Sequence, residues 1–101
     1  MTRDEILQAL LDRLGDGQWM LAVLMTHNKP LNKEKLGSLT NEFYRKFKNK
    51  DLIGSRHTLD ELTARLEGAG LVDIPDLGGR ARFYVISKLG KELIQFKEHQ
   101  A

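Results

Sequence analysis

The chain has 101 residues, 41% of them apolar and 30% charged, and carries a formal net charge of +2. That length suits one domain, and that balance of residue types supports a packed core rather than a disordered chain. Cysteine is absent, which excludes disulfides, thiolate nucleophiles and zinc sites built on cysteine.

The longest apolar run, residues 19–25, is far shorter than the ~20 residues that cross a bilayer. Thr2-Arg3-Asp4-Glu5 does not read as the start of a secretion signal. A cytoplasmic protein with no membrane association is therefore expected. Charge is unevenly placed along the chain. Residues 29–50 hold Lys29, Lys33, Lys35, Arg45, Lys46, Lys48 and Lys50 against only Glu34 and Glu42, a local balance of +5. A contiguous basic stretch of this kind is the footprint of a phosphate-facing surface.

In chain order, Thr2-Arg3-Asp4-Glu5 has the form of a capping box. Ile6, Leu7, Leu10, Leu11 and Leu14 follow at helical spacing, and Gly15 ends the run. A second helix starts near Asp16 or Gly17. Its apolar run, which includes Trp19, Met20 and Met25, suits the central, most buried helix. Lys29-Pro30 ends it, since the residue before proline avoids the α region. Leu31 adds a short extended segment, and Asn32 caps a third helix with Leu36, Leu39, Phe43 and Phe47 on its inner face. Tyr44 falls either in the core or at the edge of the basic surface.

Residues 48–54 read as a loop, and Ser55 or Thr58 caps a fourth helix with Leu59, Leu62 and Leu66 inward. Residues 71–74 and 82–86 are predicted as the strands of a hairpin. The glycines of its loop, Gly78 and Gly79, permit positive φ. Ser87 caps a last helix carrying Leu89, Leu93 and Phe96 along one side. The expected class is mainly α with a small β-hairpin (α+β), in one domain over residues 1–101. Its parts would be a helix-turn-helix at about 32–68, a wing at about 71–86 and a C-terminal helix at about 87–98.

The order helix, helix, strand, helix, helix, strand, wing, strand, helix resembles the winged helix-turn-helix family of DNA-binding domains. Residues 58–72, Thr-Leu-Asp-Glu-Leu-Thr-Ala-Arg-Leu-Glu-Gly-Ala-Gly-Leu-Val, look like the passage from recognition helix to strand in MarR-type and PadR-type regulators. Residues 83–93, Phe-Tyr-Val-Ile-Ser-Lys-Leu-Gly-Lys-Glu-Leu, resemble the strand leaving the wing and the helix after it. The extended loop at 48–54, with Arg56 and the wing sequence Gly79-Arg80-Ala81-Arg82, is also similar to the winged-helix domain of archaeal replication initiators.

The resemblance implies double-stranded DNA as partner and a role as a small transcriptional regulator. Ser55, Arg56, His57 and Thr58 then fall where the first turn of a recognition helix meets base edges. Arg80 and Arg82 flank a glycine-rich tip that suits the flanking backbone or the minor groove. Arg45, Lys46, Lys48 and Lys50 suit phosphates. A homodimer is expected through the N- and C-terminal helices, with Leu7, Leu11, Ile94 and Phe96 partly spare. The opposing signal lies on the outer side of the fourth helix, where Asp60, Glu61 and Glu67 stand beside His57 and Ala64. Those carboxylates favour an alternative use of the same fold, as a protein-interaction module in a replication or transcription assembly. His27, His57 and His99 lack metal-ligand spacing, and no G-x-S-x-G elbow or Walker loop occurs. Neither catalysis, a metal nor a cofactor is expected.

Overall fold

In a computed structural model, which describes residues 1–100, the expected cap at Thr2 forms in both directions. The Thr2 hydroxyl accepts from the Glu5 amide and the Glu5 carboxylate accepts from the Thr2 amide, each at 3.2 Å. These bonds satisfy amides that the first turn of any helix leaves open. They start α1 (Arg3–Leu14), which buries Leu7, Leu11 and Leu14. The next helix, α2 (Gly17–His27), packs against α1 and buries Met20, Leu21, Val23 and Leu24.

Asn28 turns the chain in the left-handed region (φ 48°). The strand β1 (Leu31–Asn32) then leads directly into α3 (Lys33–Lys48). Here Asn32 is the cap, its side-chain oxygen 2.8 Å from the Lys35 amide. The helix α4 (Arg56–Gly68) starts at Ser55, whose hydroxyl accepts from the Thr58 amide; Thr58 is inside the helix, not its cap. The wing strands are β2 (Val72–Asp73) and β3 (Phe83–Ile86), and α5 (Lys88–His99) closes the fold. The result is a mainly helical α+β winged helix-turn-helix in the expected order.

The strands are shorter than residues 71–74 and 82–86, for a reason at the end of α4. Gly70, at φ 73°, lets its own amide reach the Glu67 carbonyl and the Leu71 amide reach the Leu66 carbonyl. Leu71 therefore gives its amide to the helix C-terminus, and only its carbonyl meets the opposite strand, at the Ser87 amide. The sheet runs β1-β3-β2, antiparallel throughout, with Leu31 opposite Tyr84, Asn32 opposite Phe83, and Val72 opposite Ile86. Period-two alternation sends Tyr84 and Ile86 into the core and leaves Phe83 and Val85 half-buried.

Packed on α1, α3, α4, α5 and β3, α2 is the central helix that its apolar sequence predicted. Met20, Leu21 and Leu24 are fully buried there with Leu36 and Leu71. Two expectations about apolar side chains fail. Phe47, predicted on the inner face of α3, is 65% exposed. Trp19 lies in the first turn of α2, so α2 offers no further apolar residue in that direction and the end of α3 outruns it. Trp19 instead meets Phe43, Tyr44 and Phe47, with ring centroids 5.4, 4.9 and 5.6 Å away. Leu7, Leu11 and Ile94, predicted partly spare, are buried, because α1 and α5 pack on one another and on α2. Only Phe96 of that set stays half-exposed.

Candidate nucleic-acid interface

The connection between α3 and α4 positions the site. After Asn49 (φ 57°) the chain doubles back along α3. There the Asn41 side chain donates to the Ile53 carbonyl (2.9 Å) and accepts from the Ile53 amide (2.7 Å). Residues 49–55 are thus fastened to the middle of α3, and α4 begins beside the start of that helix. The last turn of α3 projects past this return.

Arg56, the first residue of α4, donates through Nη1 to Glu34 of α3 (2.7 Å) and through Nε to Asp60 one turn on (3.2 Å). Asp60 also accepts from Lys33 Nζ at 2.9 Å. The hydrogen bond and charge of Glu34, and then the charge of Asp60, raise the Arg56 guanidinium above its ordinary value. The Lys33 hydrogen bond, followed by the charges of Lys33 and Arg56, holds the Asp60 carboxyl below the usual range.

β1 pairs with β3, so the start of α3 lies against the base of the wing. An open cavity of about 290 Å³ is lined there by Asn32, Lys33, Glu34, Arg56, Arg80, Ala81 and Arg82. Arg80 is exposed and makes no ion pair among the described residues. Arg82 donates to Glu67 of α4 at 2.6 Å. At the tip, Gly78 (φ 79°) and Gly79 (φ 75°) are consecutive left-handed residues, and the Asp76 carboxylate accepts from the Gly78 amide. Side chains other than glycine are strained in such a pair.

Of the predicted site residues, Ser55, Arg56, Arg80 and Arg82 therefore surround the exposed start of α4 and the wing. His57 is fully in solvent, its Nε2 3.9 Å from Glu61, and Thr58 is half-buried against the Ser55 hydroxyl. Arg45 pairs with Asp51. Lys48 and Lys50 are exposed, with no ion pair among the described residues. At 100° per residue, Glu34, Asn41, Arg45 and Lys48 fall within about 60° of one another around α3. Lys46 lies about 100° farther round. It lines a different cavity of about 330 Å³ with Val23, Thr26, His27, Leu39, Glu42 and Phe43. The basic residues of α3 thus do not form one face.

The three carboxylates on the outer side of α4 are all exposed, and each holds a cation. Asp60 holds Lys33 and Arg56, Glu61 holds Arg65 at 2.9 Å, and Glu67 holds Arg82. Their charge is offset locally, so the surface is less repulsive to a polyanion than the sequence alone implies.

No family model matches the chain. The chain is similar to the DNA-binding protein TubR of Bacillus cereus, at 38% identity over 103 aligned positions that take in 94% of this chain and 85% of that protein. It belongs to the TubR family.

Two residues of this TubR-family surface, Lys33 and Glu34, fall in the basic stretch 29–50 but were not among the expected site residues. The signal for them was present. Asn32 as cap fixes Lys33 and Glu34 as the first residues of α3, and a Leu31 strand beside the wing strand would bring them to Arg56 and Arg82. Nothing in the spacing said which strand Leu31 joins. No helix among the described residues is long and apolar enough to cross a membrane.

Proposed function

We propose that the protein binds double-stranded DNA and acts as a small cytoplasmic transcriptional regulator, not as an enzyme. The observation that carries this reading is the gathering of Lys33, Arg56, Arg80 and Arg82 about one open cavity beside the start of α4. The DNA-binding name of the Bacillus cereus relative supports it. So does the resemblance to MarR-type and PadR-type regulators.

In this reading the first turn of α4, with Ser55, Arg56, His57 and Thr58, enters the major groove. Arg80 and Arg82 take the flanking backbone or the minor groove. Arg45, Lys48 and Lys50 reach phosphates farther along, and Lys46 acts only through the general field. Titration against random duplex over a range of salt tests the proposal. With four to six phosphates neutralised, log K is expected to fall with log salt at a slope of roughly −4 to −5. Absence of binding at low salt overturns it and favours the protein-interaction module.

A homodimer completes the proposal, since paired copies present two α4 helices to two half-sites. The outer sides of α1 and α5 supply the contact, where Ile6 is 44% exposed and Phe96 half-buried. The expected result in sedimentation is a mass that rises from one to two chains with concentration. A mass of one chain at every concentration removes the dimer and leaves the DNA proposal standing.

A further inference from the structure

We infer that Glu34 and Asp60 are positioning residues that fix the Arg56 guanidinium for base readout, so that they set sequence discrimination rather than affinity. The inference rests on the DNA-binding reading and deepens it. A guanidinium has five N–H donors. Asp60 takes the one on Nε and Glu34 takes one of those on Nη1. The three that remain are on Nη1 and Nη2, the end of the group that forms a paired contact with guanine O6 and N7. An unrestrained arginine at a helix start has many rotamers and serves any nearby phosphate equally well.

Asp60 is itself restrained, since the same oxygen that meets Arg56 Nε also accepts from Lys33 Nζ. Lys33 is the least exposed member, its side chain 22% accessible. The four groups thus join the first turns of α3 and α4 into one network. Exposed ion pairs of this kind contribute little to folding stability. Two carboxylates on a surface meant for a polyanion also weaken binding in general. Their physical benefit is the direction they give Arg56.

The test starts from a random-sequence duplex pool selected with the full chain, followed by affinities for the selected duplex and for random duplex. The wild-type chain is expected to enrich a site containing guanine. The double variant Glu34→Ala with Asp60→Ala is expected to bind random duplex more tightly, having lost two negative charges. Its preference for the selected site is expected to fall about 10-fold, within the discrimination that one paired arginine–guanine contact supplies. The variant Glu34→Gln with Asp60→Asn keeps acceptor oxygens and is expected to recover part of that preference. Circular dichroism of each variant checks that helix content is intact. An unchanged preference in the alanine variant overturns the inference, as does a wild-type chain that binds every duplex equally; the latter leaves DNA binding itself in place. A wild-type chain that binds no duplex overturns the DNA-binding reading instead.

Discussion

Replacing Gly90 with alanine is expected to lower stability by about 3 kcal/mol or more, at or beyond the usual cost of forcing one extra group into a packed core. A Cβ at this position would lie 2.3 Å from the Leu71 carbonyl oxygen, 2.7 Å from Ile86 and 3.3 Å from Leu21. The side chains can shift, but the carbonyl cannot do so freely. Leu71 O accepts the Ser87 amide, while Leu71 N is held by the end of α4. Ser87 is committed too: its hydroxyl donates to the Gly70 carbonyl at 2.7 Å and accepts from the Gly90 amide at 3.0 Å. The first turn of α5 is therefore pressed onto the joint between α4 and the wing. Alanine there forces α5 off that joint or breaks its cap. For a domain of this size the loss corresponds to a fall of roughly 12–24 °C in Tm. Gly68→Ala is the matched control, because a Cβ there meets nothing within 4 Å. Ending a helix in alanine instead of glycine is expected to raise stability by about 0.5–1 kcal/mol. Thermal unfolding of the two variants side by side tests the close docking. If Gly90→Ala melts with the wild type, the docking is absent.

What the sequence could reveal was local. Thr2, Asn32, Ser55 and Ser87 each stand one residue before a helix, because a side-chain oxygen and the amide it accepts are neighbours in the chain. The stripes of Leu7, Leu11 and Leu14 and of Leu59, Leu62 and Leu66 were equally readable, since helical spacing decides which residues share a face. Length was not readable in the same way. Phe47 continues the stripe of α3 without a break, and its exposure comes from α3 running past the first turn of α2, a fact about a different segment. The same is true of Leu7 and Ile94, whose burial depends on α1 and α5 meeting.

At the site, the sequence named Arg56, Arg80 and Arg82 as candidates, but not that Glu34 and Asp60 hold Arg56 or that Glu67 holds Arg82. Glu34 lies 22 residues from Arg56, and Glu67 15 from Arg82. Such pairs follow from tertiary packing, not from spacing. Read alone, Asp60, Glu61 and Glu67 argued against a polyanion. Their partners change the meaning of those charges.

Under the proposed DNA-binding reading, those partners also set which arginines are expected to contribute most. Removing Arg80 and Arg82 together is expected to lower the salt slope for random duplex by about 2, since each phosphate contact on B-DNA contributes close to −0.9. At 0.1 M salt that corresponds to a loss of roughly 60-fold if the non-electrostatic part of binding is unchanged. The fold is expected to survive, because both side chains are exposed and neither belongs to the core. The two are not equivalent. Arg80 makes no ion pair among the described residues, whereas Arg82 must exchange Glu67 for a phosphate. Arg80→Ala alone is therefore expected to account for the larger part of the loss. Glu67→Gln, which releases Arg82, is expected to tighten binding. Lys46→Ala is the control from the other side of α3 and is expected to leave the slope nearly unchanged. The opposite ranking, with Lys46 dominant and the wing arginines silent, would move the DNA-binding surface to the cavity between α2 and α3 and remove the wing from the interface.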